Sequence, residues 1–127
     1  MNTFKMEIIT PSGKIFDQMV KYASIPGSEG EFGVLSGHAA MVSMLAPGVV
    51  EIEDDAGAKE AVAINWGYVE VNESSVSVLA DGAVLVTAKP NSDLQRALAD
   101  AQALLKAASD SDTAIASAMA KIEHIVK

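Results

Sequence analysis

Apolar and polar positions alternate from the start of the chain. Phe4, Met6 and Ile8 are separated by Lys5 and Glu7, the two-residue period of a strand with one buried face. Thr10-Pro11-Ser12-Gly13 then gathers turn formers. Short apolar runs follow at residues 20–25, ended by Pro26-Gly27, and at residues 41–45, ended by Pro47-Gly48. Residues 49–53 and 60–66 flank Asp54-Asp55-Ala56-Gly57, and residues 68–71 and 76–80 flank Asn72-Glu73-Ser74-Ser75; both pairs read as hairpins. Residues 83–87 complete the series. Short strands with turns at regular intervals predict an antiparallel β-sandwich. No helical crossover long enough to join parallel strands interrupts them.

The pattern changes at Pro90. Residues 90–127 contain ten alanines and no glycine, and their apolar positions repeat at three and four. Leu94, Ala97, Leu98, Ala101, Leu104, Leu105 and Ala108 form one helical stripe, with Pro90-Asn91-Ser92 as the break and Ser92 with Gln95 as a capping box. Ser109-Asp110-Ser111-Asp112 is a polar turn that caps a second helix, whose seam is Ile115, Met119, Ile122 and Val126. The turn between them predicts an antiparallel helical hairpin. The fold class is therefore α+β, a β-sandwich over residues 1–89 followed by a two-helix hairpin over residues 90–127. The alanine-rich faces bury little area, so the hairpin must lean on the sandwich or on a partner.

Composition narrows the chemistry. The chain has 127 residues, no cysteine, two histidines and a formal net charge of −8. Disulfides, cysteine nucleophiles and thiolate metal sites are excluded, and a basic nucleic-acid footprint is absent. No metal site is expected. The charge is uneven, −7 over residues 1–89 and −1 over residues 90–127. The N-terminus lacks the basic start and apolar run of a targeting segment, and no stretch is long enough to span a bilayer.

Four groups of residues invite a chemical reading. Ser36 and His38 stand two apart in Leu35-Ser36-Gly37-His38-Ala39, but without the strand–turn–helix elbow of a hydrolase; a structural or partner-facing loop is the plainer reading. The glycine-rich segment 27–33 carries Glu29 and Glu31, leads toward strand-like sequence rather than a helix N-terminus, and lacks a lysine, so it reads as a turn-rich or partner-contacting acidic loop, not a phosphate cradle. Trp66-Gly67-Tyr68 has no interleaved basic residues, which favours a core or sheet-edge role over base stacking. Asp93 and Arg96 share a helix face, where an aspartate near the helix start suits the macrodipole and a nucleotide contact is the alternative.

In their order and spacing these segments resemble one family, the epsilon subunit of F-type ATP synthase. Thr10-Pro11-Ser12-Gly13 is similar to its first turn. Gly27-Ser28-Glu29-Gly30-Glu31-Phe32-Gly33-Val34-Leu35-Ser36-Gly37-His38-Ala39 is similar to its most recognisable segment, with Ser36 where the family usually has proline. Leu45-Ala46-Pro47-Gly48, Trp66-Gly67-Tyr68-Val69-Glu70-Val71 and Val78-Leu79-Ala80-Asp81 follow, with Trp66 in place of a glycine. The resemblance implies a non-catalytic rotor subunit with no required cofactor. It would hold the gamma subunit of the central stalk on the c-ring and couple proton-driven rotation to ATP synthesis. Its implied interface residues are Thr10, Glu29, Glu31, Ser36 and His38, with Thr10 and Glu31 toward the ring and His38 toward gamma. The resemblance also implies a hairpin that lies compact or extends toward the alpha and beta subunits and restrains ATP hydrolysis. Asp93, Arg96 and Ala97 match the family's aspartate-x-x-arginine-alanine motif for ATP, a regulatory ligand expected to bind weakly because residues 113–127 hold no arginine. The expected location is peripheral, on the cytoplasmic face of the inner membrane, with membrane association only through the complex. The competing reading is a free-standing β-sandwich ligand-binding module with a helical self-association tail.

Overall fold

The computed structural model describes residues 2–89 and 92–126. Ten strands precede two helices: β1 (Phe4–Thr10), β2 (Gly13–Val20), β3 (Tyr22–Gly27), β4 (Gly30–Val34), β5 (Met41–Leu45), β6 (Gly48–Glu53), β7 (Lys59–Ile64), β8 (Gly67–Val71), β9 (Ser75–Ala80), β10 (Ala83–Val86), α1 (Leu94–Ala108) and α2 (Asp112–Val126). The strands form one hydrogen-bonded path, β10-β7-β6-β3-β5-β8-β9-β1-β2, with β4 on β3. A single register pair, Gly27 with Leu45, carries the path from β3 to β5. It separates a first layer, β4-β3-β6-β7-β10, from a second, β5-β8-β9-β1-β2. The alternating positions meet between the layers, where Phe4, Met6, Ile8, Ile25, Val62 and Val78 are among the buried side chains.

Local chemistry accounts for the turns. Asp54 Oδ1 accepts hydrogen bonds from the Ala56 and Ala58 amides, both at 2.9 Å, and closes the β6–β7 hairpin. Gly67 opens β8 where the backbone of β9 passes close by. A Cβ there would collide with the Leu79 carbonyl oxygen and crowd the Ala80 Cα at 2.9 Å. Only glycine admits that approach.

The structure departs from the sequence reading in four places. Every strand pair is antiparallel except β1 with β9, which run parallel. Residues 13–19, unassigned by periodicity, form β2 together with Val20, which ends that strand instead of opening the next. The segment 27–33 is no open loop but the β3–β4 hairpin, turning at Ser28-Glu29 between Gly27 and Gly30. The helix cap is Asp93, whose Oδ1 accepts from the Arg96 amide at 3.1 Å. Ser92 is diverted, its hydroxyl donating to the carbonyls of Thr87 and Lys89. The rest of the expected break, Pro90 and Asn91, lies outside the described residues.

The helices cover the first layer. β7 is buried along nearly its whole length because Val62 and Ile64 point into the sandwich while Ala61 and Ala63 face the helices. With Val49 and Val86 these alanines receive Ala101 and Leu105 of α1 and Ile115, Ile122, Ile125 and Val126 of α2. α1 rests on β10 and β7, and α2 on β7 and β6. Burying one aliphatic side chain is worth about 1.5–3 kcal/mol, so this seam contributes most of what holds the helices. Two polar contacts add to it. Lys121 of α2 pairs with Glu31 of β4, the only helix-to-strand ion pair among the described residues. Lys89, at the exit from the sandwich, pairs with the nearly buried Glu60 at 2.6 Å. The hydrogen bond to the Glu60 carboxylate, reinforced by its charge, holds the Lys89 ammonium above the usual 10.5.

Two outcomes follow from this packing. Gly67→Ala should destabilise the chain by about 2–3 kcal/mol, read as a shift in the denaturant midpoint, because both the space and the backbone angle disfavour a side chain. A raised lysine pKa stabilises the fold below 10.5, and that contribution is lost as pH climbs through the folded value. Thermal midpoints of wild type and Glu60→Gln should therefore differ near neutral pH and converge above 10.5.

Candidate docking surface

Among the described residues no element covers the outer face of the second layer. Its side chains follow from strand register. Met44 lies beside Tyr68, Tyr68 beside Leu79, and Leu79 beside Ile9. These four form an apolar row across β5, β8, β9 and β1. Met44 is 62% exposed, Tyr68 37%, and the flanking Val42 and Trp66 70% and 53%. Apolar groups this large, contiguous and solvent-facing mark an interaction surface. Trp66 and Tyr68, with Ile9, Thr10, Pro11, Leu79 and Asp81, line a shallow groove of about 430 Å³ at the end of the row.

The next row along the face starts at Val42 and is polar beyond it: Glu70, Ser77, Glu7 and Asp17 follow in register. Toward β1 and β2 its charges are neutralised internally. Lys14 contacts Asp17 at 3.1 Å and Glu7 at 3.5 Å, while Lys5 contacts Glu7 at 3.3 Å. The hydrogen bond to Asp17, then the charges of Asp17 and Glu7, raises the Lys14 pKa above 10.5. Glu29, Glu70 and Asp81 border the apolar row, and none of them belongs to an ion pair among the described residues. An apolar strip edged by unneutralised carboxylates suits a partner that brings aliphatic side chains with basic groups beside them.

The residues singled out from sequence fall at different places around this face. Thr10 closes the β1–β2 turn, its hydroxyl donating to the Gly13 carbonyl and accepting from the Ser12 amide, both at 3.2 Å, and it lines the groove. Glu29 is exposed at the β3–β4 turn, next in sequence to Ser28, whose amide donates to the Met44 carbonyl at 2.9 Å. Glu31 lies at the same end but on the first layer's outer side, turned to Lys121. Ser36 and His38 occupy the opposite end, in the loop between β4 and β5. There Gly37 N–H donates to the Glu73 carbonyl at 2.9 Å, and the His38 ring contacts the Ala39 carbonyl at 2.9 Å. No hydrogen bond joins Ser36 to His38 among the described residues, so the geometry offers no serine–histidine pair. Asp93 and Arg96 sit at the start of α1, far along the chain from these turns. The Asp93 carboxylate is engaged in capping, and the 80%-exposed Arg96 side chain reaches only to Asp100 at 4.0 Å. Among the described residues no cluster of three or more His, Asp or Glu groups could hold a metal ion, and no helix is long and apolar enough to cross a membrane.

Sequence reasoning missed Val42, Met44, Leu79 and Ile9. A signal was present in β5, where both residue parities are apolar: Met41 and Leu45 turn inward, Val42 and Met44 outward. Trp66 and Tyr68, read as core or sheet-edge residues, belong to the open face.

Comparison with known proteins agrees with this architecture. Residues 3–86 match the family model of the ATP synthase delta/epsilon chain β-sandwich domain. Over 127 residues the chain is 51% identical to the ATP synthase epsilon chain of a Sulfurovum species, spanning 100% of this chain and 98% of that relative. It is 48% identical to the epsilon chain of Campylobacter fetus, with the same coverage. Among solved structures, a chain in the Euglena gracilis mitochondrial ATP synthase OSCP/F1/c-ring assembly superposes with a TM-score of 0.63 at 26% identity, covering 97% of this chain and 78% of that one. A chain of the Tetrahymena thermophila central stalk and c-ring shares the fold, with a TM-score of 0.53 at 14% identity over 84% of this chain and 96% of that one. The chain belongs to the ATP synthase epsilon chain family.

Proposed function

We propose that this chain is a non-catalytic rotor subunit that fastens the gamma subunit of the central stalk to the c-ring and so couples ion-driven rotation to ATP synthesis. The observation that carries the reading is the apolar row Met44–Tyr68–Leu79–Ile9, left bare on the second layer while the first layer is covered by the helices. A monomeric protein has no use for such a strip, whereas a shaft subunit needs one large, rigid contact. Sheet-borne side chains meet that need, because hydrogen-bonded neighbours hold them in place. Thr10 and Glu31, with Glu29 at the same end of the sandwich, suit contact with the ring, and Ser36 and His38, at the other, suit gamma. The chain would be peripheral, reaching the cytoplasmic face of the inner membrane through these partners.

The hairpin supports a second, regulatory role. It is held to the sandwich by an aliphatic seam and few polar contacts, so undocking it exposes one face without disturbing the sandwich core. Released, it could reach the alpha and beta subunits and restrain ATP hydrolysis.

Two experiments test these readings. Purified chain should co-elute with gamma at micromolar concentration. The double variant Met44→Glu/Tyr68→Glu should weaken that complex by at least about tenfold, as expected when central interface residues are lost. Its thermal midpoint should stay near that of wild type because both side chains are exposed. Co-elution unaffected by the two glutamates would reject this face as the contact. In the assembled complex, deleting residues 90–127 should leave ATP synthesis coupled and raise the rate of ATP hydrolysis; equal hydrolysis rates would remove the regulatory role.

A further inference from the structure

The pair formed by Lys121 and Glu31 has a position that the apolar seam does not explain. In β4, Phe32 packs against the sandwich core, so its neighbour Glu31 is directed to the outer side of the first layer, where α2 lies. On α2, Lys121 precedes the fully buried Ile122 and is itself only 27% exposed, so its stem lies along the protein while its ammonium reaches the carboxylate. Glu31 is 55% exposed and stands two residues from the β3–β4 turn, open to solvent on its other side. The contact thus joins a buried helix edge to a carboxylate that an outside cation can also reach.

We infer that Lys121 and Glu31 form a latch that holds α2 on the sandwich, and that a cationic partner taking the Glu31 carboxylate opens it. The latch is a property of the chain alone. Its use in the assembly rests on the docking reading above, in which the end of the sandwich bearing Glu29 and Thr10 meets a partner. A group at that end carrying arginine or lysine would compete with Lys121 for one acceptor. Occupation of the docking end would then bias the hairpin away from the sandwich, and a docked hairpin would weaken that contact by the same factor. The apolar seam sets how strongly the helix is held; the ion pair sets what can loosen it.

Native-state hydrogen exchange on the full chain tests this, with the amides of β1 and β9 as an internal control for folding. Glu31→Gln and Lys121→Gln should each raise exchange across α2 by about two- to fivefold, the effect of losing a partly exposed ion pair. The charge-swapped double variant Glu31→Lys/Lys121→Glu should return it close to the wild-type rate. A tetra-arginine peptide should accelerate α2 exchange in wild type and leave Glu31→Gln unchanged. Singles that exchange like wild type, or a swapped pair no better than the singles, would overturn the latch. A wild type indifferent to the peptide would overturn the competition. Because gamma binding is measured separately, failure of the docking reading and failure of the latch are distinguishable.

Discussion

Val62 and Ile64 enter the sandwich core while Ala61 and Ala63, their neighbours in β7, meet the helices. Burial on both sides of one strand organises the rest of the molecule. It requires small side chains on the helix side, because α1 and α2 must approach the sheet closely enough for Leu105, Ile115 and Ile122 to lose their water. It also decides which layer receives the helices. The second layer offers Met44, Tyr68 and Glu70 outward instead of alanines, and neither α1 nor α2 rests there among the described residues. One face is filled from within and the other is left open among the described residues.

Charge is distributed along the same division. Over the β1–β2 end of the open face, Lys5, Lys14, Glu7 and Asp17 cancel one another in a small network, each contact partly exposed and each worth little alone. Among the described residues Glu29, Glu70 and Asp81 have no such counter-charges. The net charge of −8 therefore acts as local edges around a hydrophobic strip more than as a diffuse field. Such edges orient a partner and speed its approach more than they tighten its grip.

Much of the fold was legible because local chemistry and tertiary packing agree. The Asp54 turn is a hairpin signal in sequence and a pair of side-chain hydrogen bonds in structure. The α1 stripe from Leu94 to Ala108 is the face that meets β10 and β7. β2 escaped because only Phe16 and Val20 are buried, four positions apart, with Asp17, Gln18 and Met19 exposed between them; an extra residue, Ile15, where the register shifts opposite Ile8 and Ile9, disturbs its alternation as well. β4 escaped because Gly30 and Gly33 make a strand resemble a loop. Ser92 and Asp93 are equally good caps by residue type, and the choice was made by the Thr87 and Lys89 carbonyls, which engage the serine. The docking face was the least legible part. Periodicity says that Val42 and Met44 share a side; it does not say that the helices cover the other layer. The family resemblance named Thr10, Glu31 and His38 but did not supply the strip between them.

The parallel pairing of β1 with β9 sets Ile9 beside Leu79, seventy positions further along the chain. Half of the apolar row therefore depends on a contact between the first strand and nearly the last. During synthesis β1 and β2 can close their hairpin early, but the strip stays unfinished until β9 leaves the ribosome and is inserted between β8 and β1. A chain that ends before β9 presents no complete surface. A partner docking on the finished strip, as proposed above, would select molecules whose sandwich has closed, so that the geometry of one parallel pair would act as a quality check on what enters the complex.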